Sequence, residues 1–219
     1  HRARCQLMLE NGVELDRFQA TPWPPAPGPQ QELKLLFVGR LIPVKALTLL
    51  IDAVGQLSAA GQAVRLTVVG DGPLRAEWEQ HAQTRGLGEL VRFVGSRPLA
   101  EVAGFMQRCH VFCLPSVRES GGAVVLEAMA SARPVIAVRF GGPAELVDDS
   151  VGALVEPTGP KQVTADLADL LQQVIRHPAD WAARGQAGRR RVEARYSWNA
   201  KVAAAGALYQ AILNEGKPL

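Results

Sequence analysis

The chain has 219 residues, 47% of them hydrophobic, and its 24 basic against 21 acidic residues leave a formal charge of +3. That length supports one domain with appendages or two small ones around a sizeable core. So small a charge does not demand nucleic acid or an anionic membrane as partner, though it permits a local basic pocket, and no apolar run approaches the ~18 residues of a membrane span.

The N-terminus, HRARCQLMLENG, lacks the apolar core and cleavage pattern of a signal peptide, so the chain reads as soluble and unprocessed. Cys5, Cys109 and Cys113 are an odd number without a framework, which favours reduced thiols and a cytoplasmic location. Between Gln19 and Gln31 five prolines exclude helix and sheet interior and predict a stiff, extended linker over 19–31. A continuous apolar run over 33–39 then predicts a buried strand, and Leu47, Leu50, Ile51, Val54 and Leu57 follow at helical spacing. Further strands are predicted at 65–70, 90–95, 110–114, 134–138 and 153–155, separated by helices or by turns rich in glycine and proline. Such alternation predicts an α/β fold: a Rossmann-like, doubly wound parallel sheet of about six strands with helices on both faces. Val163 to Ile175 marks an amphipathic helix, a second follows Pro178 toward Arg195, and Ser197 is placed to cap a helical tail carrying Trp198, Val202, Leu208, Tyr209 and Ile212.

In an open parallel sheet ligands bind beyond the carboxyl ends of the strands. The first such segment, Gly39 to Lys45, holds Arg40 and Lys45, the only cations between Lys34 and Arg65, where a phosphate would lie. The alternative for such a pair is a solvated loop. The second segment, Leu114-Pro115-Ser116, leads into RESGGAVVLEAMA. There Glu127 sits inside an apolar run, where burial without a partner would cost several kcal/mol. A ligand hydroxyl could supply that partner, and Gly121 and Gly122 fall at a helix start suited to an anion. The competing explanation is an amphipathic helix whose polar stripe includes Glu127.

Other patterns lead elsewhere. Gly70-Asp71-Gly72-Pro73 imitates a dinucleotide fingerprint but lacks its third glycine, and no P-loop consensus surrounds Lys45. Cys109 and Cys113 flank His110 in a strand bound for the core, so they read as buried thiols, while His1, His81 and His177 form no ligand spacing. Arg189, Arg190 and Arg191 read as a solvated helix face, and Asp148-Asp149 as a solvated turn.

Taken together, GRLIPVK, VVGDGP, FVGS, LPSVRESGGAVVLEAMA and FGGPAELVDDSVGALVEP, in that order between about Glu10 and Tyr209, resemble the C-terminal, donor-binding half of family 4 retaining glycosyltransferases. Asn11-Gly12-Val13-Glu14 with Phe18 is similar to that family's crossing between its two domains. The resemblance implies one half of a GT-B enzyme. Residues 1–18 would end the N-terminal domain and cross over, 19–31 link, 32–196 bind the nucleotide sugar, and 197–219 pack as a helix on an acceptor domain preceding Asn11. Arg40, Lys45 and Glu119 would be catalytic. Arg40 and Lys45 would hold the donor diphosphate, with Gly39 beside them and Gly121, Gly122 and Ala123 adding backbone N–H groups. Glu119 and Ser120 would face the donor sugar, Glu127 the ribose, and Ser96 and Arg97 the base. Gly141 and Gly142 would lie near the sugar.

The chain departs from the family pattern at Ala46, where many members have glycine, and at Ser120-Gly121, where many have phenylalanine then glycine; the latter bears on the donor sugar more than on the reaction. The implied activity is retaining transfer of a hexose from a UDP-, GDP- or ADP-sugar, with no cofactor or metal, since no Asp-x-Asp motif occurs. The implied acceptor is a sugar or lipid-linked glycan bound by the preceding domain, with peripheral membrane contact open, no nucleic acid, and little turnover by this half alone. A dinucleotide-binding enzyme of the NAD type and a non-catalytic nucleotide-sugar module are the alternatives.

Overall fold

The computed structural model describes residues 11–28 and 31–215; His1, Cys5 and the remainder of the first ten positions, read above as the end of a preceding domain, lie outside the described residues. The apolar runs form six strands, β1 (Leu33–Val38), β2 (Val64–Val69), β3 (Val91–Phe93), β4 (Val111–Leu114), β5 (Val135–Val138) and β6 (Gly152–Val155). All pair in parallel, in the order β3-β2-β1-β4-β5-β6. The central β4 and β5, VFCL and VIAV, are buried at every position because helices cover both faces of the sheet, so these strands read as unbroken apolar runs rather than alternating ones. Chain order reverses between β1 and β4, and the segments that leave those two strands flank the switch point.

The helices are α1 (Leu47–Ala59), α2 (Arg75–Thr84), α3 (Leu99–Arg108), α4 (Ala123–Ala130), α5 (Gly142–Leu146), α6 (Pro160–Arg176), α7 (Pro178–Arg195) and α8 (Trp198–Glu215). Leu47, Leu50, Ile51, Val54 and Leu57 bury the predicted face of α1, which packs on α6, while α4 packs on α7. Pro160 and Pro178 open their helices, where a missing N–H costs nothing. Ser197 Oγ accepts the Ala200 N–H at 3.1 Å, the cap anticipated for α8.

Over 19–28 the proline-rich stretch forms no helix or named strand, but it lies docked on the domain instead of hanging free. The buried Arg133 guanidinium donates to Thr21 O and Oγ1 and to Pro22 O on one side, and to Met106 O and Gln107 O on the other. Trp23 Nε1 donates to His110 O at 2.8 Å. The His110 ring accepts the Lys34 N–H at Nδ1 and so donates from Nε2 to Pro25 O. Residues 11–18 are fastened as well, to the segment entering α8: Val13 N–H bonds Tyr196 O at 2.9 Å, and Gly12 lies against the Trp198 ring, which a Cβ there would meet at 2.7 Å.

The arginine cluster requires a correction. Only Arg190 is exposed; Arg189 Nη1 donates to Phe18 O and Ala130 O, and Arg191 reaches Leu146 O, Asp148 and Ser150. Asp148, expected as a solvated turn, is thereby a hydrogen-bonded one, and the Ser150 and Arg191 donors hold its carboxyl below the ordinary range against a desolvation that opposes them. Cys109 and Cys113 are buried thiols, the former pushed up to about 12 by burial and the latter further still. Among the described residues no helix is long and apolar enough to cross a membrane.

Candidate functional site

Beyond β1 the chain passes Gly39, Arg40 and Leu41 into a short 3-10 turn, Pro43–Lys45, and Ala46 then takes a left-handed conformation (φ 46°) before α1 begins. That turn aims the Lys45 stem back past Gly39, where a Cβ would lie in ordinary contact with it, 3.6 Å from Lys45 Cε. Beyond β4, Val117 N–H bonds Val44 O at 2.9 Å and draws the second segment against the first. The result is an ion pair between Lys45 Nζ and Glu119 Oε2 at 2.5 Å, with side chains 16% and 15% exposed. Two residues 74 positions apart in sequence therefore meet at the switch point. Arg40 is exposed in the same turn and makes no ion pair among the described residues.

Glu119 is held from behind by the loop after β5. Gly142 N–H donates to Ser120 O at 2.9 Å and more weakly to Glu119 O, and a Cβ at Gly141 would overlap the Glu119 carbonyl. Gly141 itself has φ 55° and ψ −133°, a conformation open essentially to glycine. Gly141 and Gly142 thus act on Glu119 through its backbone. Gly121 gives space to Asn11, whose amide occupies the volume a Cβ would need. Gly122 (φ 68°) caps α4, and the first N–H groups of that helix have no acceptor within it. Ala123 and Ser120 are exposed at this edge.

Glu127 lies on α4 eight positions after Glu119, among the buried Val125, Leu126, Ala128 and Met129. Burial pushes its carboxyl up to about 7, opposed by the charge of Arg17. It makes no side-chain hydrogen bond among the described residues and is half-buried, not sealed from solvent. Ser116 Oγ, fully buried in the segment between β4 and Glu119, likewise has no hydrogen-bond partner among the described residues.

Ser96 and Arg97 follow β3 on the exposed rim, Arg97 within 3.7 Å of Glu101. They join the rest through backbone only: Gly70 N–H donates to Gly95 O, and Gly70 in turn packs on Gly39. Asp71 and Gly72 form the turn that the failed dinucleotide motif suggested, with Asp71 accepting the Gly72 N–H and pairing with Arg75. A groove of about 900 Å³ lies elsewhere, between α1, the end of α2 and the start of α6; Asp52 on its wall is already paired with His81 and Arg85. Sequence reasoning missed the approach of Arg17 to Glu127, the contact of Asn11 with Gly121, and the buried Ser116 hydroxyl. Only the glycine at 121, read there as part of an anion-binding helix start, could have signalled the second.

Residues 23–188 match the family described as glycosyl transferases group 1, and the chain belongs to that family. It is 36% identical over 153 residues to the 2-deoxystreptamine glucosyltransferase of Streptomyces kanamyceticus, an alignment covering 70% of this chain and 39% of that one. Among solved structures it resembles the C-terminal domain of a glycosyl transferase group 1 family protein (LpcC) from Francisella tularensis. There the identity is 26% and the TM-score 0.71, over 85% of this chain and all of that one. The Anabaena protein HepE in complex with UDP shares the fold at 23% identity and a TM-score of 0.76, over 92% of this chain and 57% of that one. The chain spans about two fifths of the length of the first curated relatives it matches. Its neighbours are glycosyltransferases of the GT-B architecture.

Proposed function

We propose that this chain is the C-terminal, donor-binding half of a family 4 glycosyltransferase, which takes a nucleotide diphosphate sugar and transfers its hexose to an acceptor with retention at the anomeric carbon. The observation that carries the reading is the meeting of Lys45 with Glu119 at the switch point, beside the open N-terminus of α4. A cation for the diphosphate and a carboxylate for sugar hydroxyls then lie within one ligand's reach. The match to a C-terminal domain of the same family over its whole length supports the assignment of the half, and the UDP bound to HepE supports the ligand class.

In this reading the diphosphate leaves as negative charge builds on its oxygens. Arg40, Lys45 and the first N–H groups of α4 stabilise that charge from fixed positions, without waiting for water to reorganise, and no metal is required. Glu119 orients the sugar and stabilises positive charge on its ring; a trapped glycosyl ester on Glu119 would show it to be a nucleophile instead. Glu127 accepts hydroxyls of the ribose, and the base lies toward Ser96 and Arg97. The acceptor, a sugar or lipid-linked glycan, belongs to the other half of the enzyme, so this chain alone turns over little.

Calorimetric titration with UDP, GDP, ADP and NAD tests this. One nucleoside diphosphate should bind, and Lys45→Ala should abolish the binding. Binding of NAD alone, or of none of the four, overturns the donor-site assignment.

A further inference from the structure

The Lys45–Glu119 ion pair points beyond the binding of a donor to the rejection of its spent form. We infer that Glu119 is a specificity-determining residue that sets the site against a free nucleoside diphosphate and in favour of one still carrying its sugar. This rests on the donor-site reading above and deepens it.

Lys45 and Glu119 already satisfy each other at 2.5 Å in a place where both side chains are about five-sixths covered. A pair so shielded from water holds more strongly than a surface pair. Any diphosphate that recruits Lys45 must therefore compete with a carboxylate for one ammonium group. Arg40 offers no such contest, being exposed and unpaired among the described residues. The glycines behind Glu119 prevent an easy escape: Gly142 donates to Ser120 O and Glu119 O, and Gly141 packs on the Glu119 carbonyl, so the backbone beneath the carboxylate is fixed.

The two ligands differ at this point in chemistry. A free nucleoside diphosphate ends in a phosphate with no ester cap and up to one more negative charge. Once Lys45 turns to it, the Glu119 carboxylate is left poorly hydrated beside an anion, which costs free energy on both counts. In the nucleotide sugar that phosphate is esterified and carries less charge, and the sugar presents hydroxyl donors. Glu119 can then release Lys45 to the phosphates and accept hydroxyl hydrogen bonds in its place. The same carboxylate that welcomes the donor repels what remains after the sugar has gone, and so promotes product release.

The test compares wild type, Glu119→Gln and Lys45→Ala by calorimetric titration with UDP, GDP and ADP and with UDP-glucose, GDP-mannose and ADP-glucose, after thermal melts show each variant folded. Glutamine keeps the shape and removes the charge. For the preferred base, Glu119→Gln should bind the free diphosphate ~3- to 10-fold more tightly than wild type, and the preference for the nucleotide sugar over the diphosphate should fall ~10-fold or more. Unchanged or weakened diphosphate binding in Glu119→Gln overturns it while leaving the donor site standing. Indifference to Lys45→Ala, or silence from every nucleotide in every variant, overturns the donor site and the inference with it.

Discussion

Glu127 is the residue at which a sequence anomaly becomes a measurable quantity. Its folded pKa of about 7 lies above the ordinary carboxyl value of 4.5 because the apolar surroundings on α4 penalise the charge. Between those two values the folded chain holds a proton that the unfolded chain has lost. Stability should therefore fall as pH rises from about 4.5 to about 7, then level off, by at most ~3 kcal/mol for the whole shift. Glu127→Gln should raise the melting temperature at pH 8 and leave it unchanged at pH 4.5. Ligand binding should run the other way. A ribose whose hydroxyls donate to the carboxylate favours its ionised form, so nucleotide affinity should climb between pH 6 and 8 in wild type, with protons released. Calorimetry in two buffers of different ionisation enthalpy measures that release. Phosphate ionisation contributes to both proteins, and only the difference from Glu127→Gln belongs to this residue. No difference would mean that Glu127 faces no hydroxyl.

At the scale of elements, the segment over 19–28 shows how far patterns in sequence reach. Its prolines announced an extended stretch, and the six strands were legible to within one or two residues at each end, because apolar runs and turn residues are local signals. What fastens that stretch was not legible. Arg133 and His110 lie outside it in strand-flanking positions, and nothing about a single buried arginine or histidine says which carbonyls it will find. The same limit applied at the site, where each half of the Lys45–Glu119 pair could be marked as a candidate but their contact depended on the sheet order. Arg133→Met should leave the carbonyls of Thr21, Pro22, Met106 and Gln107 short of a donor and cost ~3 kcal/mol in urea denaturation. It should also open the peptide bonds around Thr21 to proteolysis before the domain itself unfolds. His110 adds a pH dependence. Burial, with help from Lys34 and Arg133, outweighs the Pro25 hydrogen bond and Glu32, and lowers its pKa. Charging the ring at Nδ1 would break the bond from Lys34 N–H. Its contribution is intact above the unfolded value of about 6.5 and declines as pH falls from there toward the folded value. Glu127 acts in the opposite sense over this range in both proteins, so the difference is what counts: from pH 7.5 to 5 the melting temperature of His110→Asn should rise relative to that of wild type.

For the molecule as a whole, α8 is the element whose packing is unfinished. Every strand and the helices α1, α4, α6 and α7 bury apolar side chains against the sheet or each other, whereas Val202, Tyr209 and Leu213 are 69%, 67% and 74% exposed and Trp198 is 49% exposed. The helix is nonetheless fixed at its start by the Ser197 cap, by the Val13–Tyr196 hydrogen bond, and by Gly12 seated on Trp198. Anchored at one end and uncovered along its length, α8 contributes little to the stability of this domain and presents a surface for something else, in our reading the other half of the enzyme. Lysine at positions 202 and 213 removes that surface without touching the core. Val202→Lys with Leu213→Lys should change the folding free energy by no more than ~0.5 kcal/mol, since surface substitutions away from buried contacts seldom do more. Any concentration-dependent self-association of the chain in sedimentation velocity should at the same time weaken. A loss of several kcal/mol would instead show that these side chains are buried in solution, in a second copy of the chain folded against the first, and the melting temperature of the wild type would then rise with protein concentration.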